Sequence, residues 1–122
     1  MIAFCKSPSV QRRDDTVRLH DMLQAIDKIG RFVDGMSFED FAGDERTTDA
    51  VIRNLEIIGE AANHVPSDIQ NLNPNVPWAR MRGMRNIIAH NYAGVELRFV
   101  WHAATVDIHE LKSQILDILE NL

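Results

Sequence analysis

An all-α fold follows from two features of the 122-residue sequence: apolar residues recur at steps of three and four through several long stretches, and no stretch alternates with period two. The length allows one domain, and 45% hydrophobic residues with 25% charged residues is ordinary globular usage, so the chain is expected to fold around a core. The simplest architecture is an antiparallel bundle of four main helices with short helical inserts. Residues 1–12 carry Ser7, Pro8 and Ser9 without a sustained period and are expected to form a flexible extension, leaving 13–122 as the helical domain.

From Asp14 onward, Leu19, Met22, Leu23, Ile26, Ile29 and Val33 define a first long helix, with Asp14 and Asp15 placed to favour its N-terminus. Gly35 interrupts it. Ser37 and Asp40 then have the spacing of a capping box for a short helical turn carrying Phe38 and Phe41, closed by Gly43. A second long helix is expected from about Asp44 to Val65, with Val51, Leu55, Ile58 and Ala62 on one side and Arg53, Glu56, Glu60 and Asn63 on the other. Pro66 ends it, and Ser67 is placed to cap a short turn through Ile69 and Leu72 before the loop at Asn73, Pro74 and Asn75. Pro77 suits the first position of a third helix, whose buried side would include Trp78, Met81, Met84 and Ile88, with a turn at Asn91 to Gly94 behind it. Finally Leu97, Trp101, Ala104, Ile108, Leu111, Ile115, Ile118 and Leu122 form a heptad seam, predicting a last helix about 40 Å long.

Composition narrows the function. No apolar run approaches the roughly 20 residues needed to span a bilayer, and Met1 to Cys5 is too short for a secretory core, so a cytoplasmic location without membrane attachment is expected. One cysteine, Cys5, excludes an internal disulfide and belongs to no zinc-ligand cluster. Paired Glu-x-x-His units for a di-iron site are missing, since Glu60 and His64 are too far apart and Asp107 and His109 too close; no metal or other cofactor is expected. A phosphate-cradling glycine loop and a Gly-x-Ser-x-Gly turn are likewise absent from the sequence.

The formal charge of -5 argues against a general nucleic-acid coat, yet the distribution is uneven. Between Asp68 and Glu96 there is no carboxylate, while Arg80, Arg82 and Arg85 lie inside that window and Arg98 follows it. A local positive field results, with Arg80 and Arg82 as candidate RNA contacts; ion pairing with acidic neighbours elsewhere is the structural alternative. Of the five histidines, His20, His102 and His109 fall within periodic helices and read as solvated or hydrogen-bonded, and His64 as a partner of helix-terminal carbonyls. His90 differs, because it sits in the positive window five residues after Arg85 and two before Tyr92.

The segment from Arg85 through Asn86 and His90 to Tyr92 resembles the Arg-x4-His-x-Tyr motif of the HEPN superfamily, in particular its HepT-like toxins. Further matches are the stretch Ala50 to Ala62, Pro77-Trp78, Gly83 to Asn86, Gly94-Val95 and Trp101, so the resemblance covers roughly residues 13 to 122. It implies metal-independent cleavage of RNA. The residue types suit that chemistry: the 2′-hydroxyl is an internal nucleophile once a base takes its proton, and an imidazole with a reference pKa of about 6.5 is matched to the task. His90 would be that base, and Arg85 would hold two phosphate oxygens and stabilise the developing charge. The products would be a 2′,3′-cyclic phosphate and a 5′-hydroxyl.

Five helical residues turn through about 500°, which sets Arg85 and His90 about 140° apart around the axis. Asn86, one turn before His90, can orient its ring or touch the phosphate. A symmetric homodimer that brings two motifs into one cleft resolves the separation and agrees with the resemblance. The resemblance further implies that Tyr92 accepts AMP from a partner nucleotidyltransferase antitoxin of the MntA type, adding negative charge and bulk beside the cleft. The competing function is a non-catalytic helical subunit that binds such a nucleotidyltransferase through the heptad seam or the Arg53 to Asn63 stripe.

Overall fold

The computed structural model describes residues 8–83 and 96–122, with side chains from Thr16 onward. Every regular element among the described residues is helical. In chain order they are α1 (Pro8–Val33), α2 (Phe38–Ala42), α3 (Glu45–His64), α4 (Ser67–Leu72), α5 (78–83 as described), α6 (Leu97–His102), a π-helical turn (Ala103–Asp107) and α7 (Ile108–Glu120). Their arrangement is the expected helical bundle. Helix α1 packs against α3 on one side and against the π turn and α7 on the other, so the buried residues of three long segments meet along it. Leu19, Met22 and Ile29 of α1, Val51, Leu55 and Ile58 of α3, and Ile115 of α7 are all at most 1% exposed.

Helix α1 starts earlier than the apolar period suggests. Its first residue is Pro8, a position where the missing N–H removes no helical bond. Gly35, at φ +76°, reverses the chain after α1 in a conformation that disfavours other residues. The capping box of α2 is formed as read: the Ser37 N–H donates to Asp40 Oδ2 at 3.1 Å, and the Asp40 N–H to Ser37 Oγ at 3.0 Å. Asp44 caps α3 by accepting the Thr47 N–H at 3.1 Å and its hydroxyl at 2.8 Å.

Two helix starts are displaced by one residue from the sequence reading. Pro66 holds the cap position of α4 without a side-chain bond, and Ser67 is the first helical residue instead of the cap. The Pro77 carbonyl accepts the Met81 N–H at 3.0 Å, so Pro77 precedes α5 instead of opening it. The intervening loop is tied down by the Trp78 indole, which donates to the Asn73 carbonyl at 3.0 Å, and by Gln114 of α7, which donates to the Asn75 carbonyl at 3.0 Å. Trp78 and Met81 are buried, as the period required.

The last helix follows the seam from Ala104 to Ile118 but not before it. Val100 and Ala103 are buried while Leu97 and Trp101 are only partly so, and Leu122 is exposed. The π turn explains this shift, because it accommodates one residue more per turn than an α-helix and so slips the buried face by one position. Among the described residues no helix is long and apolar enough to cross a membrane.

Candidate nucleic-acid interface

The residues that carry the motif, Arg85, Asn86, His90 and Tyr92, lie outside the described residues, as do Met84, Ile88 and the expected turn at Asn91 to Gly94. The structure does place the cations that flank them. Arg80, on the exposed side of α5, has its Nη2 3.5 Å from Asp107 Oδ2. Arg82 is half-buried and donates from Nη1 to Gln70 Oε1 at 2.7 Å. Gln70 in turn donates to the Val65 carbonyl at 2.8 Å and the Ala62 carbonyl at 3.3 Å. Arg82 is thereby joined to the end of α3, where helix carbonyls lack intrahelical donors.

Arg98 is placed differently. Its guanidinium carbon lies 4.2 Å from the centroid of the Phe38 ring. Phe38 meets Trp101 edge-on at a centroid distance of 6.3 Å, and Trp101 lies 5.1 Å from the fully buried Phe41. Arg98 and Trp101 are one turn apart on α6 and so both face α2. Sequence reasoning placed Arg98 beside the positive window but did not single it out; no spacing rule links residues sixty positions apart.

His102 and Asp107 form another contact that was missed. Their side chains, Nδ1 to Oδ2 at 3.4 Å, are five residues apart, a spacing that an α-helix sets on different faces. The wider π turn brings them together, and the same carboxylate oxygen faces Arg80. All three groups stand at least a third exposed, so the cluster adds little to stability. It borders a cavity of about 260 Å³ with apolar walls from Leu55, Ile58, Met81 and Ile108, and with Arg80, Asp107 and Glu110 among its polar lining. Gln114 also lines this cavity; its Oε1 is buried without a hydrogen-bond partner among the described residues.

His64 pairs with Glu60 one turn earlier, Nε2 to Oε1 at 3.0 Å, where the sequence suggested terminal carbonyls. His20 and His109 are exposed. Among the described residues no three His, Cys, Asp or Glu side chains converge as a metal-binding group.

A helical bundle bearing arginines on one stretch of its surface is compatible with many functions, and comparison with known proteins decides between them. Residues 22–118 match the HepT-like family, described as Ribonuclease HepT-like. The chain belongs to this family of HEPN ribonucleases. It is 44% identical over 96 residues to a protein named Probable ribonuclease HepT from Thermococcus cleftensis, covering 79% of this chain and 87% of that protein. It is 37% identical over 111 residues to one named Putative RNase MJ0125 from Methanocaldococcus jannaschii, covering 91% and 96%. A bacterial relative, named Putative RNase TTE0752, from Caldanaerobacter subterraneus is 39% identical over 102 residues, covering 84% and 91%. No solved structure is significantly similar.

Proposed function

We propose that this protein is a metal-independent endoribonuclease toxin in which His90 removes the proton from an RNA 2′-hydroxyl and Arg85 stabilises the phosphorane-like charge that follows. The observation that carries the reading is the match to the ribonuclease HepT-like family over 22–118, a span that contains the whole Arg85, His90 and Tyr92 set. The bond that forms joins the 2′-oxygen to phosphorus. The bond that breaks releases the 5′-oxygen, which takes up a proton from water, leaving a cyclic phosphate and a 5′-hydroxyl. Asn86 supports the His90 ring or the phosphate. Arg80 and Arg82 extend the positive field; Arg80 is suited to exchanging an exposed carboxylate for a phosphate oxygen.

A homodimer supplies the second motif of the cleft, and a nucleotidyltransferase antitoxin silences the toxin by transferring AMP to the Tyr92 hydroxyl. The test is cleavage of a single-stranded RNA in EDTA. His90→Ala and Arg85→Ala are each expected to lower the rate by at least about 100-fold with an unchanged helical circular dichroism signal. Cleavage by either variant at the parental rate overturns the assignment.

A further inference from the structure

We propose that the Arg98 guanidinium, held over the Phe38 ring, is a phosphate-binding subsite for single-stranded RNA, in addition to the Arg85, His90 and Tyr92 set. The inference rests on the ribonuclease reading above, which supplies the polyanion, and it concerns where the strand is gripped. Charge is the first argument. Arg80 faces a carboxylate and Arg82 is engaged by an amide, whereas the Arg98 guanidinium meets no carboxylate among the described residues. The oxygens of its acidic neighbours are held by backbone donors in place of the guanidinium: Glu96 accepts the backbone N–H of Arg98 at 3.3 Å, and Asp40 that of Ser37 at 3.1 Å. A guanidinium that makes no ion pair among the described residues has none to give up when a phosphate arrives.

Preorganisation is the second. A free arginine loses several rotatable bonds on binding, but stacking on Phe38 removes much of that freedom beforehand. The ring is itself fixed by its edge contact with Trp101, by the packing of Trp101 on buried Phe41, and by the capping box that orders α2. Phe38 thus acts as a positioning residue, and Arg98 as the contact.

The experiment measures binding of a fluorescent single-stranded RNA whose 2′-hydroxyls are methylated, so that the strand binds without being cleaved. Arg98→Ala is expected to raise Kd about fivefold and to lower the slope of log Kd against log salt by about 0.7, the value for one phosphate contact on a single strand. Arg98→Lys keeps the slope. Phe38→Leu weakens binding in the parental protein and adds nothing in the Arg98→Ala background, the coupling expected of a platform that acts through its arginine. Unchanged Kd and slope in Arg98→Ala, with parental binding intact, overturns this subsite and leaves the ribonuclease reading standing. A lowered Tm with unchanged binding also overturns it, by reducing Arg98 to a lid over the aromatic cluster. Parental protein that neither binds this strand nor cleaves ordinary RNA overturns both.

Discussion

Helix α3 and the C-terminal helix both bury one apolar stripe, but they are wound differently. In α3, Val51, Leu55, Ile58 and Ala62 follow one another at steps of four and three without interruption, all at most 1% exposed. In the C-terminal segment the same rhythm holds from Ile108 through Leu111, Ile115 and Ile118, but before it Val100 is followed by two adjacent buried residues, Ala103 and Ala104, and Ala103 and Ile108 are five apart across the π turn. The extra residue rotates α6 relative to a continuous α-helix, so that α6 packs on α2 and α3 while the π turn and α7 pack on α1. That rotation carries Trp101 and Arg98 toward α2, where they meet Phe41 and Phe38. One helix is scaffold along its length; the other spends one residue on aiming a side chain.

Inserting one alanine after Val106, which is 53% exposed in the π turn, is the severest way to test this contrast. The turn already holds one residue more than an α-turn and has no room for a second, so the insertion should rotate α6 by about 100° against α7 and withdraw Val100 from the core. Val100 is fully buried, and its loss alone should lower stability by about 1.5–3 kcal/mol in denaturant unfolding. The near-ultraviolet signal of Trp101 should change with it. Parental stability and spectrum would show that the π turn does not set the register.

A gentler change tests how the widened turn is held. Thr105 Oγ1 donates to the Trp101 carbonyl at 2.7 Å, satisfying an acceptor next to the point where the α ladder is interrupted. Thr105→Val preserves shape and removes the donor, and is expected to cost about 1 kcal/mol. A change within experimental error would mean that the neighbouring backbone satisfies this carbonyl by itself.

The two helices also differ in how far the sequence revealed them. The ends of α3 were legible because their causes are local: Asp44 lies three residues before the N–H it caps, and Pro66 stands just past the last turn. The α2 capping box was legible for the same reason. The π turn was not, because a periodic pattern shows which residues are apolar but not where tertiary packing favours a wider winding over an even one. Nor does a gap in the sequence of carboxylates mean a gap in space. Arg80 sits in the carboxylate-free window yet faces Asp107, which the π turn supplies. The motif that resembles the family's is local in sequence, whereas the Phe38 platform under Arg98 depends on α2 and α6, distant in sequence, coming into contact.

The smallest expected effect separates the two helix starts by pH. Asp44, at the head of α3, has its carboxyl held below the usual range, chiefly by the Thr47 N–H and then by the Thr47 hydroxyl, with Arg46 adding to the field. Asp107, at the head of α7, is already helical and makes no capping bond. For Asp44 the folded-state pKa is the lower one, so the unfolded chain takes up the proton first as pH falls. Its contribution is therefore complete above the unfolded value of about 3.9 and is lost as pH drops through the lower folded value. Because the group is only partly buried, solvent keeps the effect small. Asp44→Asn retains an oxygen for the Thr47 N–H but does not titrate, so its Tm at pH 7 should stay near the parental value. Between pH 5 and 2 its Tm should fall less steeply than the parent's. Parallel Tm curves through that window would remove the cap carboxylate as a source of acid sensitivity and leave α3 held by burial alone.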